Sequence, residues 1–146
     1  MRPASYIFSG TVAAPIETVF ALLTDPARMP DWLPGCRAAR PSGAGLKKGT
    51  RFRLQMQSRL RTRELALEVI EYAEPTTFGW AELGPRSGTK TFFKLQFDGG
   101  ATGVTMKHIW APRGFSAWVR GAWRRRRQIQ KQFDASLQNV RKLLAR

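Results

Sequence analysis

The sequence predicts an α+β fold: a curved antiparallel sheet of about six to seven strands gripping a long C-terminal helix, with two short helices after strand 1. Three observations carry that prediction. From about Phe115 to Arg146 there is no proline, and apolar residues recur at Phe115, Val119, Ala122, Ile129, Phe133, Leu137, Val140 and Leu144. Steps of three, four or seven draw one stripe along a helix. Before it, short period-two stretches alternate with turn residues, and strands joined by short turns run antiparallel. At the front, a β-prone segment from Tyr6 to Val12 meets Ala13-Ala14-Pro15 and gives way to a helical pattern.

In that first helix Ile16, Val19, Phe20 and Leu23 form a compact apolar face, with Pro15 suited to its start and Glu17 to its dipole. Thr24-Asp25-Pro26 ends it. Ala27 to Leu33 reads as a second, very short helix or turn closed by Pro34-Gly35, and Trp32 within it reads as a plug for the domain. Cys36 to Pro41 suits a brief strand. From Thr50, Phe52, Leu54 and Met56 alternate with polar residues, as a half-buried strand requires. Leu65, Leu67 and Val69 suggest the next strand, with its facing ambiguous. Phe78 and Trp80 share a face, as do Thr91, Phe93, Leu95 and Phe97, and then Val104, Met106, His108 and Trp110. The intervening loops, Gly84 to Gly88 and Asp98-Gly99-Gly100, are rich in turn residues. A one-faced antiparallel sheet needs a cover, and only the terminal helix is long enough. A sheet curled around one helix leaves a gap, and the gap is a cavity.

At 146 residues without repeats, one domain (1–146) is expected, able to fold without disulfide or metal. Cys36 is the single cysteine and reads as a small core or surface residue. Met1 to Val12 lacks the apolar run of a signal peptide, so a soluble cytoplasmic protein is the expectation. The net charge is +15, and from Thr102 onward eleven basic residues accompany one acid, Asp134. Arg120, Arg124, Arg127 and Lys131 are spaced as an outer ridge, which reads either as a solvated face or as a surface for an anionic partner. An acidic membrane is one such partner; nucleic acid or the ribosome is another.

The run Val12-Ala13-Ala14-Pro15-Ile16-Glu17-Thr18-Val19-Phe20, with Leu23-Thr24-Asp25-Pro26 and Trp32-Leu33-Pro34-Gly35, resembles the opening of START-like helix-grip (SRPBCC) proteins. Within them the chain is most similar to the polyketide cyclase/dehydrase and lipid-transport group. The resemblance implies a hydrophobic ligand cavity between sheet and helix. It leaves open whether the protein is a carrier, a cyclase or dehydratase, or an interaction module like the ribosome-associated toxins.

No metal or cofactor is expected: one His and one Cys far apart make no ligand cluster, and no glycine-rich loop precedes a helix. His108 is the candidate for proton transfer, since its alternation with Met106 and Trp110 puts it on the inner face. One charge interrupts the helical stripe. It falls at Arg125 or Arg126, with Arg126 favoured because Val119, Arg126, Phe133 and Val140 stand in sevens. Such an arginine suits a ligand carboxylate or phenolate, or snorkels to solvent; Glu64 or Glu68 is its candidate partner. The candidate lining is Phe52, Leu54, Met56, Phe78, Trp80, Phe93, Met106, His108, Trp110, Trp118, Ala122 and Arg126, with Phe97 and Phe133 also read as inward. Trp118 and Trp123 beside the arginines suggest a cavity mouth facing a membrane at that end of the helix.

Overall fold

In the computed structural model the described residues are 4–41, 45–84, 88–111 and 115–145, with backbone alone for 115–120. Seven strands and a long helix organise them: β1 (Ala4–Val12), α1 (Ile16–Leu23), a 3-10 turn (Pro26–Arg28), α2 (Met29–Trp32), β2 (Cys36–Pro41), β3 (Arg51–Gln57), β4 (Thr62–Ala73), β5 (Thr77–Glu82), β6 (Lys90–Asp98), β7 (Ala101–Trp110) and α3 (Phe115–Leu144). One antiparallel sheet takes the order β1-β7-β6-β5-β4-β3-β2, so sequential hairpins run from β2 to β7 and β1 closes beside β7. The predicted fold class stands.

Local chemistry sets the boundaries. Pro15 precedes α1, and Thr24 ends it by turning both its amide and its hydroxyl back to the Phe20 carbonyl, at 3.0 and 2.8 Å. The Asp25 carboxylate accepts the Ala27 amide at 3.0 Å and starts the 3-10 turn. Shifts of register in β2 between Cys36 and Ala38, and in β4 between Val69 and Glu71, insert extra residues that bend the sheet. The concave face carries Tyr6, Phe8, Val12, Phe52, Leu54, Leu67, Val69, Phe78, Trp80, Phe93, Leu95, Val104 and Met106, all buried.

α3 is held against one side of that concavity. The Tyr6 hydroxyl donates to the Ala122 carbonyl at 2.6 Å, Arg141 Nε donates to the Thr11 carbonyl at 2.9 Å, and Asn139 Nδ2 donates to the Trp32 carbonyl at 3.1 Å. Two glycines let it come close. A Cβ on Gly10 of β1 would overlap Leu137, and one on Gly121 would stand 2.6 Å from the Trp110 ring. The helix therefore leans on β1, the end of β7 and α2, and it stands off from β3 to β6. No helix among the described residues is long and apolar enough to cross a membrane.

Three inward expectations are corrected here. Phe97 has the parity of Phe93 and Leu95 but is 75% exposed, since it lies in the β6–β7 hairpin beyond the covering helices. Glu64 and Glu68 face outward, where Arg53 and Arg51 pair with them at 3.2 and 3.1 Å; the β3–β4 register sets Gln55 opposite Glu64 and Arg51 opposite Glu68.

Candidate functional site

Where α3 stands off, a cavity of about 300 Å³ remains. Its apolar wall comes from the inner face of the sheet, through Leu54 and Met56 (β3), Leu65 (β4), Trp80 (β5), Phe93 (β6) and Met106 (β7). Leu33 and Pro34 close one side, and Ile129 of α3 forms the roof. This follows from strand parity: residues two apart on neighbouring antiparallel strands stack on one face. Trp80 is braced by Phe52, Phe78 and Phe93, at ring separations of 6.1, 5.5 and 5.7 Å. Exposed lining residues, Gly35, Gln57, Ser58, Arg63 and Gln128, mark where the cavity meets solvent, between the β3–β4 hairpin and the middle of α3.

Three of the polar lining residues are joined by hydrogen bonds. Thr91 and His108 are cross-strand partners, and Thr91 Oγ1 lies 3.0 Å from His108 Nδ1. Arg125 Nη2 lies 3.3 Å from His108 Nε2. A guanidinium only donates, so Nε2 must be the acceptor and Nδ1 carries the proton, which it gives to Thr91 Oγ1. The tautomer is thereby fixed, and the Thr91 hydroxyl hydrogen is left to point elsewhere. His108 is 5% exposed, and its pKa is held down to about 4, first by burial and second by the Arg125 charge. At neutral pH it is an uncharged imidazole with its basic nitrogen engaged. The Tyr6 hydroxyl, on the strand that pairs with His108, has its pKa raised by burial, an effect that Arg125 and Arg126 partly oppose. Burial likewise pushes up the Cys36 thiol, which suits an inert core residue.

The depressed His108 pKa makes stability depend on pH. The unfolded chain takes up this proton near pH 6.5, whereas the folded chain waits until about pH 4. Stability from this residue is therefore complete above pH 6.5 and is lost as pH falls through that window. The expected loss between pH 7 and 4.5 is about 2–3 kcal/mol by urea unfolding, and His108→Gln should remove that part of the slope.

The candidate lining residues separate into groups. Leu54, Met56, Trp80, Phe93, Met106 and His108 line the cavity together. Phe52 and Phe78 are buried beside Trp80, each meeting its ring edge to face, and are not among the cavity lining. Trp110 lies below Arg125, whose guanidinium carbon is 5.8 Å from the ring centroid. Ala122 contributes only the carbonyl that Tyr6 grips. Arg126 does not reach the cavity: it is exposed, 5.4 Å above the Phe8 ring, and Arg125 takes the place foreseen for it. Of the sevens, Arg126 and Phe133 both meet Phe8 of β1, on which Phe133 stacks at 6.1 Å, and Val140 packs near Val19, Leu23 and Trp32. The Trp118 and Arg120 side chains lie outside the described residues. Trp123 is 69% exposed and carries Arg127 at 5.1 Å over its ring, away from the lining. Arg124, Arg127 and Lys131 are exposed, as a ridge requires.

Sequence reasoning missed the polar lining. Gln128, Gln132 and Ser136 run along the flank of the apolar stripe at steps of four, and Thr91 and Glu82 share the parity of Phe93 and Trp80. Spacing alone held that signal, but polar residues beside a stripe look like its solvent edge.

Comparison with known proteins agrees with the geometry. Protein NE0264 from Nitrosomonas europaea has a similar fold with a TM-score of 0.80 at 15% identity, covering 97% of this chain and 94% of its own. A Rhodobacter sphaeroides protein is similar at TM-score 0.75 and 24% identity, over 97% and 92% of the two chains. Ara h 8.0201 is similar at TM-score 0.76 and 11% identity, over 97% of each. At such identities the likeness is one of fold. Among curated proteins no sequence matches. The family model described as polyketide cyclase/dehydrase and lipid transport matches residues 8–145, nearly the whole described length, and the chain belongs to that helix-grip family.

Proposed function

We propose that the protein binds or carries a hydrophobic small molecule, of lipid, polyketide or quinone-like shape, in the cavity between sheet and α3, in the cytoplasm. The observation that supports this most is the lining itself. An apolar wall of Leu54, Met56, Leu65, Trp80, Phe93 and Met106 meets a polar side in which Arg125 and Thr91 flank His108 and Gln128, Gln132 and Ser136 run along α3. A volume of about 300 Å³ suits a ligand of one or two rings or a short chain. The favoured ligand has a flat or flexible apolar body and one anionic or acceptor oxygen for the guanidinium.

A cyclase- or dehydratase-type reaction is the second reading, and the position of Arg125 favours it, because a guanidinium at the polar wall would stabilise an enolate oxygen. His108 is a poor acid or base for such chemistry: its Nε2 is engaged and its proton affinity is depressed. Binding therefore ranks above catalysis.

Anilinonaphthalene sulfonate, with an apolar ring system and one anionic group, tests the reading. Titration should show saturable one-to-one binding with blue-shifted emission at neutral pH. Weak, unsaturable binding would count against it.

A further inference from the structure

We propose that the rim of the cavity mouth docks on an anionic lipid bilayer, with Leu60 entering the headgroup layer among basic side chains. Leu60 is 95% exposed, more than Ile7, Phe97 or Trp123, the other exposed large apolar residues among those described. It sits between Arg59 and Arg61 at the tip of the β3–β4 hairpin. Ser58 closes that turn twice, its amide and its hydroxyl both donating to the Arg61 carbonyl, at 2.9 and 3.1 Å. The tip is therefore a tight two-residue loop that holds the leucine out rather than folding it back.

The same hairpin supplies Gln57, Ser58 and Arg63 to the exposed lining of the cavity. Across the mouth stands Gln128, whose neighbours on the helix surface are Arg124, four residues before, and Lys131, three after, both exposed. Among the described residues the ion pairs Arg28–Asp31, Arg51–Glu68 and Arg53–Glu64 involve none of Arg59, Arg61, Arg124 or Lys131. Both rims thus carry positive charge, and one adds an apolar point.

An anionic bilayer meets both features at once: acidic headgroups attract the cations and the interface takes up the leucine. A nucleic acid would satisfy the charges and leave Leu60 in water. Trp123 is not part of this face. It lies five residues before Gln128, roughly 140° around the helix, under Arg127. The purpose of docking rests on the ligand reading above, since an apolar molecule would pass from bilayer to cavity without crossing water. The docking itself does not.

Vesicle flotation tests it, using phosphatidylcholine with and without phosphatidylglycerol. The protein should float with the phosphatidylglycerol vesicles only, and less at high salt. Leu60→Asp should reduce the bound fraction about tenfold, and so should Arg124→Glu with Lys131→Glu, while Trp123→Ala floats like the parent. Anilinonaphthalene sulfonate binding in free solution should persist in all three variants, which shows the fold and cavity intact. Equal flotation of Leu60→Asp and the parent would overturn the proposal. So would equal binding to phosphatidylcholine alone, or capture of single-stranded RNA with no vesicle binding. Flotation that persists without probe binding would sink the ligand reading and leave the docking surface standing.

Discussion

Trp32→Ala is expected to destabilise the chain by about 3–5 kcal/mol, a large share of the roughly 5–15 kcal/mol that holds a domain of this kind together. Trp32 has no exposed surface. Its ring meets Phe93 edge-on, with centroids 6.0 Å apart and planes at 86°, and its carbonyl accepts the Asn139 side chain from α3. α2 is only four residues long and has no stability of its own. Alanine keeps that carbonyl, but the indole also packs between Phe93 of the sheet and Phe133, Leu137 and Val140 of α3, and these ring contacts are what Trp32→Ala removes. Loss of the indole leaves a cavity that rigid neighbours on two layers cannot collapse to fill. Leu33, Pro34 and Gly35, which follow directly, line the ligand cavity, so probe affinity should fall along with stability. Urea unfolding at neutral pH measures the first effect, and a loss below about 1 kcal/mol would show that the packing around Trp32 relaxes freely.

Arg125→Met should weaken binding of an anionic probe ten- to hundredfold, equivalent to about 1.5–3 kcal/mol for a charged hydrogen bond. Methionine keeps most of the side chain's apolar length, so the change is chiefly one of charge. The same substitution removes the second cause of the low His108 pKa, and that pKa should move up while remaining below 6.5, because burial, the larger cause, persists. An NMR titration of the imidazole reads this independently of any ligand. Unchanged probe affinity in Arg125→Met would mean that the polar wall does not touch the bound molecule. Arg126→Met is the matched control: its guanidinium lies over Phe8, outside the lining, and probe binding should be unaltered.

That pair also shows how far the sequence was legible. Period-two alternation placed Leu54, Met56, Trp80, Phe93, Met106 and His108 on one concave face, because a strand offers only two choices and neighbouring strands agree. A helix offers a continuum. Four consecutive arginines, Arg124 to Arg127, cover every direction, and the seven-residue spacing to Phe133 marked the side facing β1 rather than the side facing the cavity. The cavity side is the flank of the stripe, where Arg125, Gln128, Gln132 and Ser136 are polar and invisible to an apolar pattern. Parity also cannot tell which part of an inward face borders open space and which part is packed solid. Phe52 and Phe78 point inward like Trp80 but pack beside it in the core, outside the lining. Phe97 keeps the parity and outruns the cover.

The central claim is that the space beneath α3 is a binding cavity, and one titration tests it most directly. Leu65, half-buried on β4 opposite Leu54, faces that space near its mouth. Replacing it with tryptophan puts an indole into the opening without disturbing the fully buried core. Anilinonaphthalene sulfonate should bind the parent one-to-one and should lose at least about tenfold in affinity to Leu65→Trp, whose thermal midpoint stays close to the parent's. Equal affinity in the two proteins would place the probe somewhere else, and the cavity would then be only a gap in the packing.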